Sequence, residues 1–318
     1  MAQGTLDSHM KLQIERRTSL SYAEFARGYL FAIKPVVITD AIHEWKAVSR
    51  WTPEFFKKEF GDVRFTLNGS NKSGYKKESA AGEFTMAQFI DRVLASTHDD
   101  PAPYFRNRIL HDVFPTLKED VEPLPDYFFP NWLAESYLLK GVERLFHRGA
   151  RMEIYIGGTG GTFPVMHYDG LVAHAFLAQI HGRKKFILYS PEQESYLYPR
   201  PDAANFSRIT DVERPDLTQF PLFAKAEPTT FILEAGELLF IPSKWWHTTK
   251  MLTPSISISM NVVNRSNWTE LTDLICGMQR PRARLPVRGY LAIAGAWRSL
   301  RDWRRNGFAA QNEHLCSV

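Results

Sequence analysis

His167 and Asp169 stand one residue apart in Phe-Pro-Val-Met-His-Tyr-Asp-Gly, and His247 closes the run Phe-Ile-Pro-Ser-Lys-Trp-Trp-His. Two imidazoles and one carboxylate make a facial ligand set, which holds a non-heme Fe(II) ion and leaves positions open for a co-substrate and O2. On an extended strand, residues i and i+2 project from one face, so His167 and Asp169 reach one ion while Tyr168 turns away. His247 must then come from a strand distant in sequence but adjacent in space, as a two-sheet β-barrel provides.

A His-x-Asp triplet alone occurs by chance in any chain of this length, so its surroundings carry the argument. Residues 151–156 (Arg-Met-Glu-Ile-Tyr-Ile) read as a strand, followed by the glycine-rich loop 157–162. Further strands are expected over 175–180, 184–190, 229–233, 238–242 and 255–260, with turns at His181-Gly182 and 234–237. Each candidate ligand then lies at a strand end, the usual place for a site in a barrel mouth. The remaining histidines lack partners at ligand spacing. His174, five residues past Asp169, faces away on a continuous strand, and His181 falls in a turn. His43, His98, His111 and His147 lie in the helical or loop-rich N-terminal half, and His9 and His314 lie near the ends.

Four segments make the chain recognisable: Gly182-Arg-Lys-Lys-Phe-Ile-Leu-Tyr-Ser-Pro191, Asp216-Leu-Thr-Gln-Phe-Pro221, Phe223-Ala-Lys-Ala226 and Leu233-Glu-Ala-Gly-Glu-Leu-Leu-Phe-Ile-Pro242. With them, residues 150–265 resemble the JmjC/cupin-like family of Fe(II)- and 2-oxoglutarate-dependent oxygenases. Within it, the likeness is to the small JmjC protein hydroxylases of the arginyl-hydroxylase and factor-inhibiting-HIF types, with the tRNA wybutosine hydroxylase a near relation. A weaker likeness reaches upstream through Lys34-Pro-Val-Val-Ile-Thr39 and Pro103-Tyr-Phe-Arg-Asn107.

The resemblance implies a mainly β fold: a double-stranded β-helix (jelly-roll or cupin barrel) with an N-terminal α/β elaboration and C-terminal helices. It implies His167, Asp169 and His247 as metal ligands, and Lys184 as the cation that pairs with the distal carboxylate of 2-oxoglutarate. It also implies Tyr104 as a hydroxyl on that carboxylate, Asn261 as a polar residue near iron and co-substrate, and Thr162 as a residue reaching the co-substrate. Taken alone, Lys184 reads equally well as a solvated lysine at a strand start, and Tyr104 reads as a half-buried strand tyrosine. Two departures concern the pocket's shape. Ala175 stands where many relatives carry asparagine, after a segment longer by about two residues, and Pro164 and Thr162 sit further before His167 than in relatives.

At 318 residues and 44% hydrophobic content, the chain fits one elaborated globular domain. Its apolar runs are too short to span a bilayer, which predicts a soluble protein with no membrane partner. Cys276 and Cys316 give no disulfide framework, which suits the cytoplasm, or the nucleus of a eukaryote. Residues 1–10 read as an expression-tag remnant, 11–145 as an α/β part packed on the barrel, 146–265 as the catalytic barrel, and 266–318 as a basic helical tail. Helices are expected over 21–33, 53–61 and 86–95, and the aromatic- and proline-rich 118–145 suggests either a rim of the site or packing of a long connection. In the tail, helices are expected over 268–278 and 287–305, with Pro281 and Pro286 breaking the chain between them. Eight arginines (280, 282, 284, 288, 298, 301, 304 and 305) carry much of the net charge of +4. The stripe Tyr290, Ile293, Ala294, Trp297 and Leu300 or Arg301 has helical spacing and suits packing on the barrel or on a second copy of the chain, while the arginines keep RNA as a partner, with membrane association of the tail the remaining alternative.

These readings converge on hydroxylation of a protein or peptide side-chain carbon, coupled to decarboxylation of 2-oxoglutarate to succinate and CO2. The alternatives are hydroxylation of a modified tRNA base or small metabolite, N-methyl demethylation, cupin chemistry without 2-oxoglutarate, and an inactive cupin-like binding module.

Overall fold

A computed structural model describes residues 13–68, 80–134, 151–163 and 165–306. The expected tag remnant, His9, His147, His314, Cys316, Pro164 and residues 135–145 lie outside the described residues.

The strands follow in chain order: β1 (Glu15–Arg17), β2 (Val36–Ile38), β3 (Arg64–Asn68), β4 (Ala80–Thr85), β5 (Phe105–Ile109), β6 (Glu153–Gly157) and β7 (His174–His181). Then come β8 (Lys184–Tyr189), β9 (Pro199–Arg200), β10 (Ala203–Ser207), β11 (Thr229–Leu233), β12 (Leu238–Ile241), β13 (Trp246–Met251) and β14 (Ser255–Val262). A seven-stranded sheet runs β1-β2-β12-β7-β14-β6-β5, a three-stranded sheet runs β11-β8-β13, and β3/β4 and β9/β10 form two-stranded pairs. The two larger sheets are the walls of the jelly roll. β1, β2 and β5 come from the N-terminal half, which therefore extends the larger sheet.

β14 shows how sequence builds these walls. In Ser-Ile-Ser-Ile-Ser-Met-Asn-Val, strand periodicity sends Ile256, Ile258, Met260 and Val262 to one face and Ser255, Ser257, Ser259 and Asn261 to the other. The apolar face joins the main core with Phe25, Trp45, Phe56, Phe89, Phe176 and Phe240, contributed by the helices and by neighbouring strands. Each such side chain contributes about 1.5–3 kcal/mol by leaving water. The polar face lines the barrel.

The covering helices start where their caps dictate. Ser21 and Thr85 each form a capping box, with Glu24 and Gln88, and Thr52 caps a helix whose first residue is Pro53. The helix expected over 21–33 is α-helical only over Tyr22–Phe25, continues as a wider π turn over Ala26–Leu30, and stops there. The described part of 118–145 packs rather than forming a rim: Phe128 lies on Trp45 and Phe176, and Trp132 lies on Trp268.

In the tail, the chain breaks between the helix Trp268–Gly277 and one that opens at Pro281, as expected, but the second helix runs to Asn306 straight through Pro286, so no break occurs there. Pro281 occupies the first position, where a missing N–H costs nothing, and Pro286 forfeits one hydrogen bond near the helix start. Of the expected apolar stripe, Ala294 is buried while Tyr290, Ile293, Trp297 and Leu300 are exposed. Leu291, Ala294 and Arg298 turn inward instead, because Gly295 lets the Trp268 indole approach so closely that a Cβ there would sit 2.3 Å from Nε1. That indole donates to the Leu291 carbonyl at 3.0 Å. Among the described residues, no helix is long and apolar enough to cross a membrane.

Candidate metal centre

His167 runs antiparallel to β13, exchanging both backbone hydrogen bonds with His247 (3.1 and 2.7 Å). Two residues on, Asp169 is still extended and opens a short 3-10 turn over Gly170–Val172. This brings one ligand atom from each of His167, Asp169 and His247 within 4.8 Å of the others, a group that could hold a metal ion. His167 Nε2 lies 3.9 Å from Asp169 Oδ1. Tyr168 turns away, packing edge-on against Trp246.

The two imidazoles are held alike. Nδ1 of each lies 3.0 Å from the carbonyl two residues back, Val165 for His167 and Trp245 for His247. An N–H donated there fixes the tautomer and leaves Nε2 with a lone pair, as a metal ligand requires. Phe163 stacks on His167 with ring centres 4.4 Å apart. Burial and the neighbouring His247 hold His167 well below the usual histidine range, so it stays a neutral imidazole. Burial raises the Asp169 carboxyl, opposed by His247. The donor set fits a divalent cation: two imidazole nitrogens and one carboxylate, already oriented.

These residues line a cavity of about 350 Å³ that Tyr104 and Asn261 also border. Lys184 sits deeper in the barrel and is 1% exposed. Its ammonium donates to Ser257 Oγ and lies 3.3 Å from Tyr104 Oη. Lys184 makes no ion pair among the described residues, and burial lowers its pKa to about 7. A buried cation without a counter-ion is costly unless a ligand supplies one, and a carboxylate would. Lys185 points the other way and pairs with Glu213 on the surface.

Asn261 and Tyr104 are therefore brought to the triad's cavity, with Lys184 behind Tyr104. Thr162 is not. It is exposed, pairs with Lys250, and faces a neighbouring cleft that shares Tyr104, Phe163 and Thr249 with the cavity. Phe163, the next residue, takes the inward position, so strand alternation carries Thr162 away from the ligands. His174 is fully buried with both ring nitrogens used: Nδ1 accepts from the Ser243 amide at 2.9 Å, and Nε2 lies 2.7 Å from Ser266 Oγ. Burial pushes its pKa down to about 3. Ala175 borders the cavity, and the extra residues before it fold into the 3-10 turn, where Leu171 has φ 58°.

Tyr155 and Asn107 are among the cavity residues that were not anticipated. Tyr155 was legible, since alternation along Glu-Ile-Tyr-Ile-Gly sends Ile154 and Ile156 to the core and Tyr155 inward. Asn107 was not. It enters the cavity from an irregularity between Phe105 and Arg108 in the β5/β6 register, with φ 55°.

The sequence profile of the cupin-like domain matches residues 22–269. The chain belongs to this cupin-like, JmjC-type family. Among its relatives, tRNA wybutosine-synthesizing protein 5 of Gallus gallus is 35% identical over 269 residues, covering 79% of this chain and 76% of that protein. Lysine-specific demethylase 8 of Danio rerio is 32% identical over 244 residues, covering 75% and 55%. The 2-oxoglutarate and iron-dependent oxygenase JMJD4 of Gallus gallus is 29% identical over 298 residues, covering 88% and 67%. The chain spans about half the length of the Danio rerio demethylase and of another relative, lysine-specific demethylase JMJ30 of Arabidopsis thaliana.

Proposed function

We propose that this cupin-like chain is an Fe(II)- and 2-oxoglutarate-dependent oxygenase that hydroxylates a carbon of a protein or peptide side chain. The observation that carries the reading is the pairing of a pre-oriented His167/Asp169/His247 set with a buried, unpaired Lys184 across one barrel. A relative named for both iron and 2-oxoglutarate supports it. His167, Asp169 and His247 would hold the metal, and Lys184 with Tyr104 would hold the distal carboxylate of 2-oxoglutarate. Iron with 2-oxoglutarate and O2 supplies decarboxylation to succinate and CO2 and delivers one oxygen atom to a substrate C–H bond. The protein's own part is geometric. The Val165 and Trp245 carbonyls fix the imidazoles, Phe163 and Phe206 stack on His167, and Asn261 borders the same cavity.

A second reading, hydroxylation of a modified tRNA base, draws on the tRNA-modifying relative and on exposed Arg282, Arg284 and Arg288 in the tail helix. The experiment that separates them offers a peptide mixture and bulk tRNA to the loaded enzyme and follows gain of one oxygen by mass spectrometry. Oxygen appearing only in tRNA would replace the protein reading. Formaldehyde release from methylated peptide would replace hydroxylation by demethylation, and cupin chemistry without 2-oxoglutarate would leave Lys184→Ala fully active. We assign the catalytic unit to 146–265 supported by 11–145, place it in the cytoplasm, and expect a homodimer through the exposed Leu285, Ile293 and Trp297, checked by light scattering.

A further inference from the structure

Tyr155 faces Lys184 from the opposite wall of the barrel. The lysine Nζ lies 5.8 Å from the centre of the Tyr155 ring and 5.7 Å from that of Tyr104, and the two rings are 6.0 Å apart. Both distances are within the range at which an ammonium is drawn to the negative face of a ring. The two phenols differ in how they use their oxygens. Tyr104 Oη lies 3.3 Å from Lys184 Nζ, whereas Tyr155 Oη donates to Glu153 Oε2 at 2.7 Å, with Asn107 Oδ1 3.3 Å away. Tyr155 is thus anchored by its oxygen toward the cavity wall, and its ring is left for the lysine.

Among the described residues, the other neighbours of Lys184 bring no charge. Met251 on β13 and Leu233 on β11 lie opposite it in the sheet, and Ser257 on β14 offers a hydroxyl. The titratable groups that face it are the two tyrosines, with Glu153 behind Tyr155. A lysine this buried leans toward its neutral form, which cannot pair with a carboxylate. The rings favour the charged form without competing for the hydrogen bonds a carboxylate must make.

We propose that Tyr155 is a positioning residue for the co-substrate: its ring, held by Glu153, closes an aromatic cradle that favours the ammonium form of Lys184 and aims it at the distal carboxylate of 2-oxoglutarate. The proposal rests on the reading of Lys184 as the 2-oxoglutarate anchor.

The test is calorimetric binding of 2-oxoglutarate to the full chain loaded with Mn(II), which permits binding without turnover. Wild type is compared with Tyr155→Phe, Tyr155→Leu, Tyr155→Met and Lys184→Ala across the neutral and mildly alkaline range. Tyr155→Phe retains the ring and should stay within about twofold of wild type, whereas the folded aliphatic variants should weaken binding about tenfold. The pH above which affinity declines should also move lower in those variants, because a lysine without the ring loses its proton sooner. Mn(II) affinity should be unchanged throughout, which excludes a folding defect. Aliphatic variants that bind as wild type with the same pH profile would overturn the proposal, as would a Phe variant as weak as Leu. Lys184→Ala binding 2-oxoglutarate like wild type would instead bring down the co-substrate reading itself.

Discussion

The two faces of the seven-stranded sheet are made from the same strands and do opposite work. The outward face of β14 gives Ile256, Ile258, Met260 and Val262 to the core beneath the helices, while its inward face presents serines and Asn261 to the cavity. β6 divides likewise, Ile154 and Ile156 against Glu153 and Tyr155, and β7 sends Phe176 outward and Ala175 inward. Most of the stabilising apolar surface thus lies on the side away from the chemistry, with a smaller apolar cluster of Val37, Leu239 and Ile241 facing Phe186 and Phe231 inside the barrel. The inner face is then free to carry an unpaired buried lysine and three clustered ligand residues, each a cost to stability in an empty protein.

If that division holds, substitutions on the two faces should separate stability from binding. The largest effect on folding is expected from Phe240→Ala. Phe240 packs on Phe25 and Phe176 at 4.9 and 5.1 Å, and its loss should cost about 3–5 kcal/mol in denaturant melts while the folded fraction still binds metal. The converse variant is His167→Ala. It should lower Fe(II) affinity by about 100-fold or more, with a stability change below about 1 kcal/mol.

Lys184 and its neighbour Lys185 sharpen the comparison within one strand. Lys184→Met should weaken 2-oxoglutarate binding by about 30-fold or more. Because burial lowers the Lys184 pKa to about 7 from 10.5, the unfolded chain binds one more proton than the folded chain between those values. The stability of the metal-free protein should therefore rise with pH across that window, and Lys184→Met should abolish the rise. Lys185→Met, which removes a surface ion pair to Glu213, should change stability by less than about 1 kcal/mol and leave the pH dependence intact.

Much of this was legible in the sequence because it depends on period and spacing. Strand alternation in 151–156 and 255–260 and the i, i+2 offset of His167 and Asp169 follow from backbone geometry. What escaped depends on contacts between distant residues. The tail helix turns a different face inward because Gly295 meets Trp268, and helical spacing alone favoured Tyr290, Ile293 and Trp297. Asn107 enters the cavity through an irregular register and a left-handed backbone that no local pattern marks. Lys184 and Lys185 were equivalent by composition, and only the barrel decides which is buried.

The central claim is tested most directly by succinate release from the purified chain supplied with Fe(II), ascorbate and 2-oxoglutarate, measured beside His167→Ala and with the peptide mixture present. The account predicts succinate from wild type and none above background from the variant. Equal release from both, or no release from a wild type that also fails to bind 2-oxoglutarate, would contradict it.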